Sequence, residues 1–325
     1  MSNPQKNAKR FSRGAPALVV LAFLARPVLG QEPKIAPPLD RLKTQIERVI
    51  HRLDGKVGVA AKHLESGESL SVNGETLFPL ASAFKVPILV ELFYQVEEGR
   101  YALDDEISVE KSDQHFGSGM ISRLIMPGLK LSVLNMAHFM MMISDNSATD
   151  ILLGMVGPDK INARLKGLGI EGMSVNRPCQ KLITDFLALR NPARTPEEAK
   201  AAVLKFGENP EDSATPLAMN ALLEKIFLKQ VLTAEHCDLV LAIMRKCETG
   251  EMRIRGELPP GTIVAHKTGT IAGTVNDCGI LYLPDGAGHV ALTVFSKDFM
   301  TETEDVEAAI ARIARFVYDY FYFKS

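Results

Sequence analysis

The chain has 325 residues, 46% of them hydrophobic and 23% charged, an ordinary globular balance with enough apolar material for a large core. Its formal charge of −2 comes without a basic stripe, which argues against nucleic acid as a partner. Four cysteines with no CxxC, and seven scattered histidines with no HxH or HExxH, provide neither a disulfide framework nor the ligand spacing of a metal site.

In chain order, residues 1–30 read first as a secretory signal peptide. Lys6, Lys9, Arg10 and Arg13 precede an eleven-residue apolar run, 15–25, and Val28 and Gly30 place small side chains before Gln31. That run is well short of the ~20 residues a membrane-spanning helix needs. Removing 1–30 removes five positive charges and no negative one, taking the formal charge from −2 to −7. The expected mature chain, 31–325, is a periplasmic or secreted monomer without stable membrane insertion.

Residues 37–55 carry Leu42, Ile46 and Ile50 on one helical face, with Gly55 as a stop signal. "KVGVAAKHL", "ESGE" and "SLSVNG" read as a β-hairpin. From 82 to about 245 the pattern is mainly helical, with loops expected at 112–130 and 171–195, and the run "MAHFMMMI" (136–143) is expected as helix core. "GTIVAHKTGT", "VNDCGILYLP" and "GHVALTVFSKD" are predicted strands, and "EDVEAAIARIARFVYDYFYF" is a last amphipathic helix. The predicted fold class is α+β. One antiparallel sheet with flanking helices is built from 38–81 and 246–325, and an all-helical lobe, roughly 82–245, is inserted between.

Three short motifs carry chemistry. In "FPLASAFKVPILVEL" (78–92), Ser82 and Lys85 share one face of an apolar helix start, since Pro87 is tolerated only near a helix N-terminus. Unpaired backbone N–H groups there can polarise a carbonyl. A desolvated lysine shifts downward and becomes a base for a nucleophilic serine. Ser144-Asp145-Asn146 follows the methionine run; a hydroxyl there can pass a proton to a leaving nitrogen, and an amide can fix a substrate carbonyl. The same three residues would also serve as a turn or helix cap. Lys267-Thr268-Gly269 lies on a predicted strand. Lys267, Thr268 and Thr270 offer charge and hydroxyls to a carboxylate, and Gly269 leaves room for a substrate backbone along the strand edge.

Ser-x-x-Lys, Ser-Asp-Asn and Lys-Thr-Gly in this order resemble the motif set of class A serine β-lactamases and penicillin-binding proteins, and the resemblance runs along essentially the whole mature chain. It implies a serine hydrolase that opens β-lactams without a cofactor, its partner being the small-molecule substrate. By the same resemblance, Ser82 is the acylated nucleophile and Lys85 takes part in its deprotonation. Ser144 relays a proton to the lactam nitrogen, Asn146 binds the substrate's side-chain amide, and Lys267 with Thr268 and Thr270 holds the carboxylate. The N–H groups of Ser82 and Thr270 would form the oxyanion hole, and Arg253 would reinforce carboxylate binding. The sequence departs from the family in one respect. Family members carry a deacylating glutamate in a Glu-x-x-x-Asn pattern after Ser-Asp-Asn, and no glutamate in 170–216 precedes an asparagine by four. Release of the acyl group would then be slow, as in a penicillin-binding or D,D-peptidase-like hydrolase, or would use another base. Asp185, set among apolar residues that would raise its pKa, is the candidate. "TPEEAKAAVLKF" reads as an added helix with Thr195 as N-cap, Pro196 at N1 and Glu198 closing a capping box.

Overall fold

The computed structural model describes residues 38–125 and 128–324; the expected signal peptide lies outside them. The first helix, α1 (Pro38–Ile50), buries Leu42 and Ile46 at 2% and 0% exposure, each worth ~1.5–3 kcal/mol. It stops at Ile50, before the expected Gly55, in a turn closed by Leu53 N–H donating to the Ile50 carbonyl. The predicted hairpin forms as β1 (Lys56–His63) and β2 (Ser69–Val72), in a register that sets Val59 opposite Val72. A two-residue strand, β3 (Phe78–Pro79), leads to a 3-10 turn, Ala81–Phe84, and then to α2 (Lys85–Glu97), which is apolar and buried nearly all round.

Two corrections fall in the central block. The segment between α2 and the methionine helix contains a hairpin, β4 (Glu106–Val109) with β5 (Leu129–Ser132), where loop and helix were expected. The helices α3 (Val133–Met142), α4 (Asn146–Val156) and α5 (Pro158–Gly167) follow. Met136, Met140 and Met141 are fully buried, as core methionines should be. The loop expected at 171–195 holds α6 (Cys179–Arg190). Its apolar positions 179, 182, 183 and 186 follow helical spacing, a pattern too short and interrupted to stand out. Next, α7 (Pro196–Gly207) starts as predicted: the Thr195 hydroxyl accepts from Glu198 N–H at 3.2 Å and the Glu198 carboxylate accepts from Thr195 N–H at 3.2 Å. A short β6 (Ser213–Ala214) pairs with β3 before α8 (Pro216–Phe227) and α9 (Ala234–Met244).

The remaining strands are β7 (Val264–Ile271), β8 (Thr274–Tyr282) and β9 (His289–Lys297), followed by α10 (Thr303–Lys324). Among the described residues five strands form one antiparallel sheet in the order β2-β1-β9-β8-β7. Both faces are covered, and β9 shows why its sequence alternates without turning polar. Val290, Leu292 and Val294 pack with α1 and α10 residues, while Ala291 and Phe295 face the cluster that includes α2 and α8. With period two along a strand, a sheet buried on both sides is mostly apolar at every position, and the buried Thr293 and Ser296 of β9 are hydrogen-bonded instead. β7 is left at the edge, packed against the Ala81–Phe84 turn.

Candidate active site

The turn that presents Ser82 is held from three sides. Asn276 on β8 donates its amide to the Pro79 and Leu80 carbonyls at 2.8 and 3.1 Å. Leu80 N–H donates to the Asp212 carbonyl at 2.8 Å. Ala81 takes φ +45°, a conformation that costs a side-chain-bearing residue of order 1–3 kcal/mol and persists only where packing imposes it. Ser82 itself is half-buried and opens into a cavity of about 50 Å³, with Ser118, Asn146, Cys179, Leu182 and Ile271 among its walls. One water needs ~10–15 Å³ of such space, so water can reach the serine.

Lys85, the first residue of α2, is fully buried. Its ammonium donates to the Ser144 carbonyl at 2.8 Å, the Ser144 hydroxyl at 3.0 Å and Asn146 Oδ1 at 3.1 Å. Burial disfavours the charged form and, helped by the Lys267 charge, lowers its pKa to about 8, while the Asp145 and Asp150 carboxylates pull the other way. Ser144 is strained at φ +58°, Asp145 caps α4 by accepting from Ala148 N–H, and Asn146 opens the helix. The cap reading holds at Asp145, and Asn146 lies among the walls of the Ser82 cavity. The 115–121 loop wraps over it: Asp145 Oδ2 accepts from Met120 and Ile121 N–H, and Ser118 Oγ donates to the Ser144 carbonyl at 2.6 Å. Gly119 is required here, since at φ +113° a Cβ would lie 2.3 Å from the Asp145 carboxyl.

From the other side β7 brings Lys267, also fully buried, with its pKa lowered by desolvation. Its ammonium donates to the Ser144 hydroxyl at 3.1 Å and to the Thr268 carbonyl at 2.9 Å. Two lysines thus donate to one hydroxyl. Ser144 Oγ has two acceptor lone pairs and one O–H, so with both lone pairs taken its own proton is the group left to give. Thr268 pairs with Thr249 at 2.5 Å, and Thr270 is exposed. A Cβ at Gly269 would meet the Leu80 carbonyl at 2.6 Å and Ala83 N at 3.0 Å, so the glycine admits the nucleophile's own turn. Arg253 is 6% exposed. It pairs with Glu307 at 3.0 Å, donates to the Gly269 and Asn276 carbonyls at 3.1 and 2.9 Å, and reaches the Thr270 hydroxyl at 2.6 Å.

Behind Lys267 lies a charged cluster that the sequence did not announce. His266 Nδ1 meets the Asp277 carboxylate at 2.9 Å, both side chains fully buried. Burial alone would lower the imidazole's pKa, but the Asp277 charge and hydrogen bond carry it up to about 10. Burial would likewise raise the Cys247 thiol, but His266 and Lys267 bring it down to about 6. A histidine raised on folding contributes stability that is complete below its unfolded pKa of ~6.5 and lost as pH rises through about 10. A depressed thiol contributes stability that is present above ~8.5 and lost as pH falls through about 6. Between those limits the pair stands as thiolate and imidazolium. The thiolate absorbance in the near ultraviolet is expected to titrate with a midpoint near pH 6 in the wild type and to be missing in Cys247→Ser.

Asp185 is not part of this assembly. On α6 it pairs with Lys181 one turn away and with Arg177 at 3.0 Å, is partly exposed, and does not line the cavity. The Lys181 hydrogen bond, reinforced by Arg177, lowers its pKa. The expectation of a raised value fails because its local sequence neighbours are apolar while its spatial partners are cations. Arg177 itself bridges to the buried Asp212 at 2.6 Å, closing the neck of the segment that carries α6 and α7. The cavity residues that sequence reasoning missed, Ser118, Cys179, Leu182 and Ile271, left little signal beyond the paired glycines around Ser118. Among the described residues no group of three or more His, Cys, Asp or Glu could hold a metal ion.

A family model described as "Beta-lactamase enzyme family" matches residues 41–321. Beta-lactamase VEB-1 of Pseudomonas aeruginosa is 27% identical over 292 residues, covering 87% of this chain and 91% of that protein. A solved beta-lactamase from Chitinophaga pinensis DSM 2588 is 30% identical with a TM-score of 0.74, over 86% of this chain and 98% of that one. A mutant of PBP-A, solved as an acyl-enzyme complex with penicillin G, is 27% identical with a TM-score of 0.71, over 88% and 98%.

Proposed function

Because the chain belongs to the beta-lactamase enzyme family, we propose that it opens the cyclic amide of β-lactams through an acyl-Ser82 intermediate. Neutral Lys85 takes the Ser82 proton as Oγ attacks the lactam carbonyl. The carbon–nitrogen bond breaks, the nitrogen receives the Ser144 proton, and Lys85 passes the proton it took from Ser82 to the Ser144 oxygen, which leaves Lys85 neutral again. Lys267, Thr268 and Thr270 take the substrate carboxylate, and Asn146 the side-chain amide. Thr270 N–H, on the strand packed against the Ser82 turn, joins Ser82 N–H around the developing oxyanion. The observation that carries this reading is the Ser144 hydroxyl accepting from Lys85 and Lys267 at 3.0 and 3.1 Å beside the open Ser82.

The export segment read in residues 1–30 places this activity in the periplasm or outside the cell. No helix among the described residues is long and apolar enough to cross a membrane. The proposed site residues come from α2, the 144–146 turn and β7. The test is peptide mapping after brief exposure to benzylpenicillin, followed by turnover of a chromogenic cephalosporin. The penicilloyl mass is expected on the Ser82 peptide and on no peptide of Ser82→Ala; a label that survives in that variant would place the nucleophile elsewhere. A second reading, acylation with slow release, is favoured by one feature: no acidic side chain is among the cavity walls around Ser82.

A further inference from the structure

The acyl-Ser82 reading leaves open which group activates the water that frees the enzyme, and the cavity walls address that question. The titratable groups around Lys85 are Cys179, Lys267, Asp145 and Asp150. The two carboxylates in this set are committed to backbone. Asp145 accepts from Ala148, Met120 and Ile121 N–H. Asp150 accepts from Cys179 N–H at 2.6 Å and Gln180 N–H at 3.0 Å, and its Oδ2 also meets His115 Nδ1 at 2.7 Å. Neither lines the cavity, whereas Cys179 does.

The Asp150 contacts fix the first turn of α6, and with it the direction in which position 179 points. They hold Cys179, 4% exposed, against the space shared by Ser82 and Asn146. A thiol there is a poor base. Burial pushes Cys179 up to about 12, so it keeps its proton at any pH at which the protein works.

We propose that Cys179 occupies the position from which a side chain would activate the deacylating water, so that Lys85 alone serves as base in both half-reactions and the acyl-enzyme is long-lived. In the second half-reaction the water oxygen bonds to the acyl carbonyl carbon while its proton passes to the neutral Lys85 amine. The ester bond to Ser82 Oγ then breaks, and Lys85 returns the proton to Oγ. The acid leaves and both residues are restored. This proposal rests on the acyl-Ser82 reading and goes beyond it by naming the position that sets the lifetime.

Intact-protein mass spectrometry of the full chain mixed with benzylpenicillin follows adduct loss directly. In the wild type the adduct is expected to persist at neutral pH. Its decay should quicken more than ~10-fold from pH 6 to 8, as the neutral amine fraction grows. In Cys179→Glu the adduct is expected to clear at least ~10-fold faster at pH 7, with little change above pH 6, and a far-ultraviolet circular dichroism spectrum and cooperative melt like the wild type's report that the variant is folded. A wild-type adduct that clears within seconds at pH 7, or a decay rate flat from pH 6 to 8, would overturn the proposal even if the variant did not fold. A folded Cys179→Glu whose adduct lasts as long as the wild type's would overturn it too. If no adduct forms on Ser82 in the wild type, the functional reading itself fails, an outcome distinct from a long-lived adduct with the wrong pH dependence.

Discussion

Lys85→Arg is expected to slow acylation of Ser82 by about 10²–10⁴-fold, the usual worth of a positioned general base. Arginine keeps a positive charge beside Ser144 and Asn146, so a lysine that only neutralised the site would be replaced at modest cost. It cannot give up its proton in the working range, because its pKa stays above ~12. The wild-type amine, lowered by burial to about 8, must be neutral to act. Its acylation rate should therefore rise with pH and level off above about 8. Stopped-flow measurement of adduct formation across pH would show that rise in the wild type and its loss in the variant. An undiminished rate in Lys85→Arg would remove Lys85 from the role of base.

Arg177→Ala is expected to cost about 3–5 kcal/mol of unfolding free energy, the range for breaking a buried ion pair from one side. Asp212 is 1% exposed, and its carboxylate would keep only the Asn176 and Arg177 N–H donors. Lys181→Ala removes the other cation beside Asp185, but on an exposed helix face. There the expected loss is at most ~0.5 kcal/mol. Denaturant titration of both variants separates the two cases. Asp212 also accepts from Leu80 N–H, two residues from the nucleophile, so Arg177→Ala should slow acylation as well, whereas Lys181→Ala should not.

The parts of the fold legible in advance were those that local chemistry dictates. The β1–β2 hairpin follows from alternation around "ESGE", and α7 from its capping box. The parts that were not legible depend on distant partners. The strands β4 and β5 are four residues long and carry Glu106 and Lys130, so neither shows an apolar run; each is a strand because the other pairs with it. In the site, the motif residues Ser82, Lys85, Ser144, Asn146 and Lys267 converge because the spacing of a helix start, a cap and an edge strand is visible in sequence. Cys179 was invisible as a cavity residue, since its placement comes from Asp150, 29 positions earlier. Asp185 misled because neighbours along the chain are a poor guide to neighbours in space.

The strand order β2-β1-β9-β8-β7 has a consequence for the timing of folding. The middle strand of the sheet is the last one in the sequence. Until His289–Lys297 is available, β1–β2 and β7–β8 are separate hairpins with no shared edge, and α1 lacks α10, the helix it packs against. Every candidate catalytic residue is made before residue 271, yet the turn that presents Ser82 is fixed by Asn276 on β8. The sheet closes through contacts between positions over two hundred residues apart, such as Val57 with Ser296, a topology that folds slowly.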